Sequence, residues 1–138
     1  DPKYIKKMLN IYNKYNLDVV IGARKLFHGK NKGLHEVRRF ASILLIYFFG
    51  IFKVKTNDPM SGFFLFRKGI YSKNKKFFFG KGFKILADIL INSKQYLETR
   101  DIFINFNRRF NSESKMSLKI LLILILFYFF SLTKKIFN

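Results

Sequence analysis

The first 22 residues combine an amphipathic helix with an uninterrupted apolar strand, and this pairing constrains the fold more than any other feature of the chain. Asp1 is a candidate N-cap with Pro2 at the first helical position, and apolar side chains follow at the spacing of one helix face. We predict a helix from Pro2 to about Tyr15, then a short buried strand over residues 18–21 that Gly22 closes. A helix, a tight turn and an apolar strand make half of a βαβ unit, which predicts an α/β fold with a parallel sheet.

A βαβ unit also predicts a strand before the opening helix. The chain begins with Asp1 rather than Met, and no leader segment with a cleavage site opens it. Its 138 residues are enough for one domain with a modest core. We therefore expect the chain to be the C-terminal portion of a longer polypeptide.

The charge balance predicts an anionic partner. Lys and Arg number 27 against 8 Asp and Glu, a net charge of +19, and this alone does not choose among nucleic acid, lipid headgroups and a phosphorylated substrate. The chain is also 49% hydrophobic with 19 Phe, and its aromatic residues cluster in apolar runs instead of alternating with basic residues on a polar platform. We therefore expect a membrane surface as partner and no nucleic acid.

Cysteine and histidine usage restricts the chemistry further. The chain has no Cys, which excludes disulfides, thiolate metal sites and a cysteine nucleophile, and leaves the redox compartment open. Its two His residues are too few to form a metal cluster.

The middle of the chain alternates predicted helices and strands with basic loops. In order, the patterns predict a basic loop at 25–33, a helix at 35–51 with a polar start and an apolar end, a strand at 63–67, a solvated or headgroup-facing loop at 73–76, a helix at 82–91 and an edge or near-edge strand at 102–106.

A basic segment at 108–115 precedes an unbroken apolar run over 120–130. A helix counted to Thr133 is roughly 21 Å long, short of the ~30 Å hydrocarbon core of a bilayer. We predict that it lies at the membrane interface or docks on a neighbour, with a buried core helix as the alternative. The predicted organisation is thus two parts, 1–115 and 116–138.

Five side chains are candidates for binding a phosphate. Arg24 follows a strand end, where open α/β sheets bind ligands, and guanidinium groups clasp phosphate oxygens in pairs. Arg38 and Ser42 share a helix face beside a glycine-containing loop, and Arg109 and Lys115 precede the apolar helix. For any single one of these cations, a solvated surface charge is the alternative.

The turn around Asp58 is the other candidate site. Asp58 precedes Pro59, so it either initiates a turn or places a carboxylate at the edge of a site, where it orients a sugar hydroxyl or a cationic partner. Ser61 and Gly62 add a hydroxyl and a backbone open to close approach. Asp88 is interpreted as a helix-face charge or the partner of a nearby Lys, with a site-facing carboxylate as the other possibility.

Four motifs resemble those of the polyprenyl-phosphate glycosyltransferases of family 2, which include the dolichyl-phosphate mannosyltransferases. They are Asp-Pro-Met-Ser-Gly-Phe-Phe at 58–64, Gly-Phe-Lys-Ile-Leu at 82–86, Arg109, and Glu-Ser-Lys at 113–115. The seven-residue match is specific, and the order of the motifs is that of the family.

Upstream segments extend the resemblance over essentially the whole chain. Residues 20–24 look like the family's strand-end Gly-Ser-Arg, Arg38 and Ser42 match its Arg and Ser four apart, and Asp1-Pro2 resembles the segment after its metal-binding Asp-x-Asp. Two positions depart from the pattern. Ala23 stands for the usual Ser, and Ser112 for the common Gly.

The resemblance implies the C-terminal part of a GT-A fold and an inverting transfer of mannose or glucose. The donor would be GDP-mannose or UDP-glucose, and the acceptor dolichyl or undecaprenyl phosphate, at the cytoplasmic face of a membrane. Arg24 and Asp58 would be catalytic, and the lipid phosphate would be bound by Arg24, Arg38, Ser42, Arg109 and Lys115.

The resemblance also implies a divalent Mg or Mn ion held by an Asp-x-Asp that these 138 residues do not contain. We therefore expect no metal ligands in this chain and no transfer by the chain alone. The alternative function is a non-catalytic, basic membrane-binding or interaction domain.

Overall fold

The computed structural model describes residues 1–24, 46–52, 54–81, 85–105 and 118–137 of a mixed α/β fold with a small three-stranded sheet. In chain order its elements are α1 (Lys3–Tyr15), β1 (Val19–Ala23), β2 (Phe64–Phe66), α2 (Lys68–Asn74), a 3-10 turn (Lys75–Phe77), α3 (Ile85–Asn92), β3 (Thr99–Phe103) and α4 (Leu118–Phe137). Residues 46–50 are also helical.

Helix α1 confirms the helix predicted at the start of the chain. The backbone N–H of Lys3 donates to Asp1 Oδ1 at 3.0 Å, so the Asp1 carboxylate satisfies one of the free donors of the first turn. Asn16 ends the helix in the left-handed conformation, with φ of 47°. This sharp reversal allows β1 to begin only three residues later.

The sheet has the order β2-β1-β3 and is mixed. β1 runs parallel to β3, with Ile21 opposite Asp101, and antiparallel to β2, with Val20 opposite Leu65. The predicted parallel sheet is therefore right for one pair and wrong for the other, because a short apolar run does not encode the direction of its neighbour. Gly22 lies within β1, one residue before its end, and does not close it.

Every residue of β1 is buried, because helices cover both of its faces. Val20 packs with α1 on one face, whereas Val19 and Ile21 pack with α2 and α3 on the other. The first cluster comprises Met8, Leu17, Val20, Ile102 and Ile104, and the second Val19, Ile21, Ile70, Leu86, Ile89 and Leu97.

The remaining predicted elements are partly confirmed. β2 and α3 lie within or beside the ranges predicted at 63–67 and 82–91, and residues 46–50 fall in the helix predicted at 35–51. β3 is an edge strand of the described sheet, but it begins three residues before the predicted 102–106. The basic stretch 73–76 is not a loop, since it ends α2 and enters the 3-10 turn. The loop predicted at 25–33 lies outside the described residues.

Helix α4 begins before the predicted apolar run and continues past Thr133 through two lysines. Its buried residue Phe127 packs with Phe49 and Ala87, while Leu126 and Phe129 are exposed. Within the described ranges, none of the helices has the length and apolar character needed to cross a membrane. The division of the chain at 115 stays a prediction.

Candidate functional site

The candidate site lies at the carboxyl end of β1. Arg24 follows the last residue of this strand, and the parallel strand β3 ends at the same edge of the sheet. The turn around Asp58 reaches the same edge from a distant part of the sequence. Open α/β sheets commonly bind their ligands at this edge.

Arg24 and Asp58 form a bidentate ion pair. Arg24 Nε donates to Asp58 Oδ2 at 2.7 Å, and Nη2 donates to Oδ1 at 2.8 Å. The backbone N–H of Arg24 adds a third bond to Oδ2 at 3.2 Å. Paired hydrogen bonds of this kind fix the plane of the guanidinium as well as its position. We call these two residues the Arg24–Asp58 pair.

The two members of the Arg24–Asp58 pair differ in exposure. The Asp58 side chain is 1% exposed, whereas that of Arg24 is 25% exposed. Hydrogen bonding to Asp58 raises the pKa of Arg24, and burial opposes this only in part. Arg24 therefore presents a permanent positive charge, and Asp58 holds that charge from the protein side. Of the two roles predicted for a site-edge Asp58, the structure has the one with a cationic partner.

Asp101 anchors the turn that carries Asp58. Its carboxylate accepts hydrogen bonds from Thr56 Oγ1 at 2.7 Å, from the backbone N–H of Asn57 at 2.7 Å and from Asn57 Nδ2 at 2.9 Å. Thr56 Oγ1 in turn accepts from the backbone N–H of Asp58 at 3.2 Å. Asp101 was not predicted as a site residue. The available signal was an aspartate inside a strand, where this residue type is uncommon.

Ser61 connects the same turn to β1. Its hydroxyl donates to the Gly22 carbonyl oxygen at 2.6 Å and accepts from the backbone N–H of Phe63 at 3.2 Å. Ser61 is buried, so its hydroxyl acts within the fold, whereas the neighbouring Gly62 is exposed. Their predicted role at the edge of a substrate site stays a prediction.

Gly22 makes the close contact between β1 and the turn possible. Its backbone N–H donates to the Phe63 carbonyl at 2.8 Å. A Cβ atom at this position would lie 2.5 Å from Phe63 Cδ1 and 3.0 Å from Ile104 Cδ1. Only glycine fits here without displacing one of these side chains.

Four of the predicted phosphate ligands lie outside the described residues. They are Arg38, Ser42, Arg109 and Lys115. Their roles stay predictions, and the site described here consists of the Arg24–Asp58 pair and its supports.

The described carboxylates do not form a metal site. No three His, Cys, Asp or Glu side chains within the described ranges are grouped to hold an ion. Asp58 is engaged by Arg24, and Asp101 by the turn at 56–57. These residues therefore do not fit the implied Mg or Mn ion.

Asp88 has a role that the sequence analysis did not foresee. It is buried and accepts hydrogen bonds from the backbone N–H groups of Phe79 at 3.0 Å and Gly80 at 2.9 Å, and from Asn92 Nδ2 at 2.8 Å. Asn92 Nδ2 also donates to Ser131 Oγ of α4 at 3.2 Å. Among the described residues, the buried Asp88 carboxylate is hydrogen-bonded to backbone N–H groups and Asn92 and not to a lysine, and it is part of a polar connection between α3 and α4.

No protein-family model matches the chain, and no curated protein is significantly similar to it in sequence. The geometry of the Arg24–Asp58 pair and the sequence motifs are the observations that bear on the function of the chain.

Proposed function

We propose that this chain forms the acceptor side of an inverting polyprenyl-phosphate hexosyltransferase of the GT-A fold, with Arg24 on the acceptor phosphate. One observation carries the proposal. A partly exposed guanidinium is held by a buried carboxylate at the carboxyl end of a sheet strand. A guanidinium has about five N–H donors, and Asp58 occupies two of them, so among the described residues three remain for phosphate oxygens.

The proposed reaction needs orientation more than proton transfer. The lipid phosphate is already ionised near neutral pH, so it requires no general base, and a fixed cation reduces the freedom it must lose. Its oxygen attacks the anomeric carbon of the hexose from the face opposite the leaving group. The new C–O bond forms as the bond to the diphosphate oxygen breaks, and the nucleoside diphosphate leaves with that electron pair.

Asp58 acts in this proposal as a positioning residue. Both of its oxygens are occupied by Arg24, so it directs the guanidinium and does not contact the sugar. The donor nucleotide and a Mg or Mn ion would bind through an Asp-x-Asp, which these 138 residues do not contain. No step proposed for this chain's residues uses the metal.

Binding of the acceptor tests the role of Arg24. We expect the chain to bind a short-chain polyprenyl phosphate in detergent micelles, and Arg24→Lys to weaken this binding about tenfold, because an ammonium lacks the paired donors of a guanidinium. Titration followed by NMR measures the affinity. Arg100→Gln controls for the overall charge, since it removes a cation that stacks on the Tyr15 ring at 3.8 Å.

Loss of the Arg24 side chain alone would leave the buried Asp58 carboxylate without its cation, so folding must be controlled. The double variant Arg24→Gln with Asp58→Asn removes both charges together and is expected to fold while losing the ligand. Unchanged binding by Arg24→Lys, or an equal loss in Arg100→Gln, would contradict the role of Arg24.

Transfer tests the reaction itself. With radiolabelled GDP-mannose or UDP-glucose as donor, we expect no labelled lipid from the chain alone and labelled lipid from a parent polypeptide that also supplies a donor site. Transfer by the chain alone, or none from the parent with either donor, would overturn the proposal. Binding to anionic vesicles without preference for polyprenyl phosphate would instead favour the non-catalytic membrane-binding domain.

A further inference from the structure

A pocket lies between the C-terminal ends of α3 and α4. Its volume is about 420 Å³, within the roughly 300–1,000 Å³ typical of ligand pockets. The polar residues of its lining are Asn92, Ser93, Lys94, Ser131, Lys134 and Lys135. We call it the lysine pocket.

Three ammonium groups lie near the Phe77 ring, which lines the lysine pocket. The Nζ atoms of Lys94, Lys76 and Lys134 lie 4.5, 5.2 and 5.3 Å from the centroid of the Phe77 ring. The face of an aromatic ring attracts each cation, but the cations repel one another. An anion placed among them would relieve this repulsion.

The nearest carboxylate does not fill that role. Burial lowers the pKa of Lys134 most, the charge of Asp88 offsets this in part, and the charge of Lys94 lowers the pKa further. Asp88 already accepts hydrogen bonds from two backbone N–H groups and Asn92. The lysine pocket therefore keeps an excess of positive charge.

Structural contacts explain two of the pocket lysines but not the third. Lys134 Nζ donates to the Phe77 carbonyl and Lys135 Nζ to the Ile51 carbonyl, so both tether the end of α4. Lys94 is exposed, and the side-chain contact described for it is with the Phe77 ring. Its backbone N–H donates to the buried Asn74 Oδ1 at 3.0 Å, which holds Lys94 at the mouth of the pocket.

We propose that the lysine pocket binds a phosphate group, with Lys94 and Lys134 as its main ligands. Ammonium groups bind phosphate as point charges and do not need the fork geometry of arginine. The phosphate belongs either to a phospholipid headgroup or to a soluble phosphate ester. Phe129 and Ile136 on the same helix are 61% and 68% exposed, which favours the headgroup. This site is separate from the Arg24–Asp58 pair and does not depend on the proposed transfer reaction.

Two ligands and one pair of double variants test the lysine pocket. Binding of inorganic pyrophosphate is followed by NMR, and binding to phosphatidylcholine vesicles with and without phosphatidylglycerol by flotation. We expect Lys94→Gln with Lys134→Gln to weaken binding by about fivefold for each lysine. The matched control is Lys6→Gln with Lys7→Gln on α1, which removes the same charge from exposed positions.

Each outcome decides for or against the lysine pocket. A selective loss of vesicle binding identifies a headgroup, and a selective loss of pyrophosphate binding alone identifies a soluble ester. An equal loss in both double variants means that only the overall charge acts, and it overturns the proposal, as does an absence of binding to either ligand. Lys94→Gln alone leaves both tethers of α4 intact, so a loss of binding in this variant cannot be attributed to misfolding. The NMR shifts of Asn92, Ser93 and Lys94 report on the lysine pocket itself, and Arg24→Lys should leave their response to pyrophosphate unchanged, so failure here and failure of the proposed function are distinguishable.

Discussion

Asp58 and Arg24 illustrate what single residues contribute to this protein. A buried carboxylate is costly unless it is paired and hydrogen-bonded, and Asp58 meets this requirement through three donors of Arg24. The same bonds hold the guanidinium toward the exposed edge of the sheet. One pair thus both satisfies a buried charge and presents a cation to a ligand.

At the residue scale, Gly22→Ala is expected to destabilise the protein. The new Cβ would lie 2.5 Å from Phe63 Cδ1, and overpacking of this kind typically costs about 1–3 kcal/mol. The free energy of unfolding from denaturant titration measures the effect. Gly62→Ala is the matched control, because its Cβ would meet no atom within 4 Å. Equal effects at the two glycines would show that the contact with Phe63 is unimportant.

At the scale of elements, the connection between α3 and α4 combines apolar and polar contacts. Phe127 packs against Ala87, and one turn further along α4 Ser131 accepts a hydrogen bond from the buried Asn92. Asn92 is itself bonded to Asp88. This chain of polar contacts makes the rotation of α4 specific, because another face of the helix would leave Asn92 without its partner.

Ser131→Ala tests this connection. Removing the hydroxyl should cost about 0.5–1.5 kcal/mol of unfolding free energy and lower the hydrogen-exchange protection of α4. Thr133→Ala is the control on the same helix, because the Thr133 hydroxyl is exposed and donates only locally, to the Phe130 carbonyl at 2.9 Å. If both variants behave alike, the bond between Asn92 and Ser131 does not hold α4 in place.

At the scale of the whole molecule, stability should rise with pH in the alkaline range. The pKa of Lys134 is lowered from 10.5, chiefly by burial, and that of Tyr15 from 10.0, chiefly by the Arg100 guanidinium that lies over its ring. At a pH between the lowered pKa of the folded state and the ordinary pKa of the unfolded state, each group is more protonated in the unfolded chain. The free energy of unfolding therefore increases with pH in this range. Loss of charge from a chain of net charge +19 acts in the same direction.

We therefore expect the unfolding midpoint to increase with pH in the alkaline range just below about pH 10. Thermal melts at constant ionic strength measure it. Lys134→Gln should reduce the increase, whereas Lys7→Gln on the exposed face of α1 removes the same charge and should reduce it less. A midpoint that falls over this range would contradict the assigned directions.

The motifs predicted which residues belong to the candidate site but not the contacts between them. The strand-end position of Arg24 and the turn before Pro59 were enough to select both members of the Arg24–Asp58 pair. The contact between them joins residues 34 positions apart, and nothing in the local pattern encodes it. Asp101 and Ser61 support the site through the same kind of long-range bond, so the support of Asp101 was missed and the role of Ser61 was expected to be different.

Local physical chemistry in the sequence determined α1, its end at Asn16, the buried character of β1 and the existence of α3, because periodicity and turn residues act over a few positions. Only the tertiary structure decided the antiparallel direction of β2, the pairing of Arg24 with Asp58, and the burial of Asp88 on the side of α3 that faces α4. Each of these features depends on contacts between segments that are far apart in the sequence, and local patterns do not encode such contacts. The sequence indicated where a cation would stand, and the fold determined what holds it there.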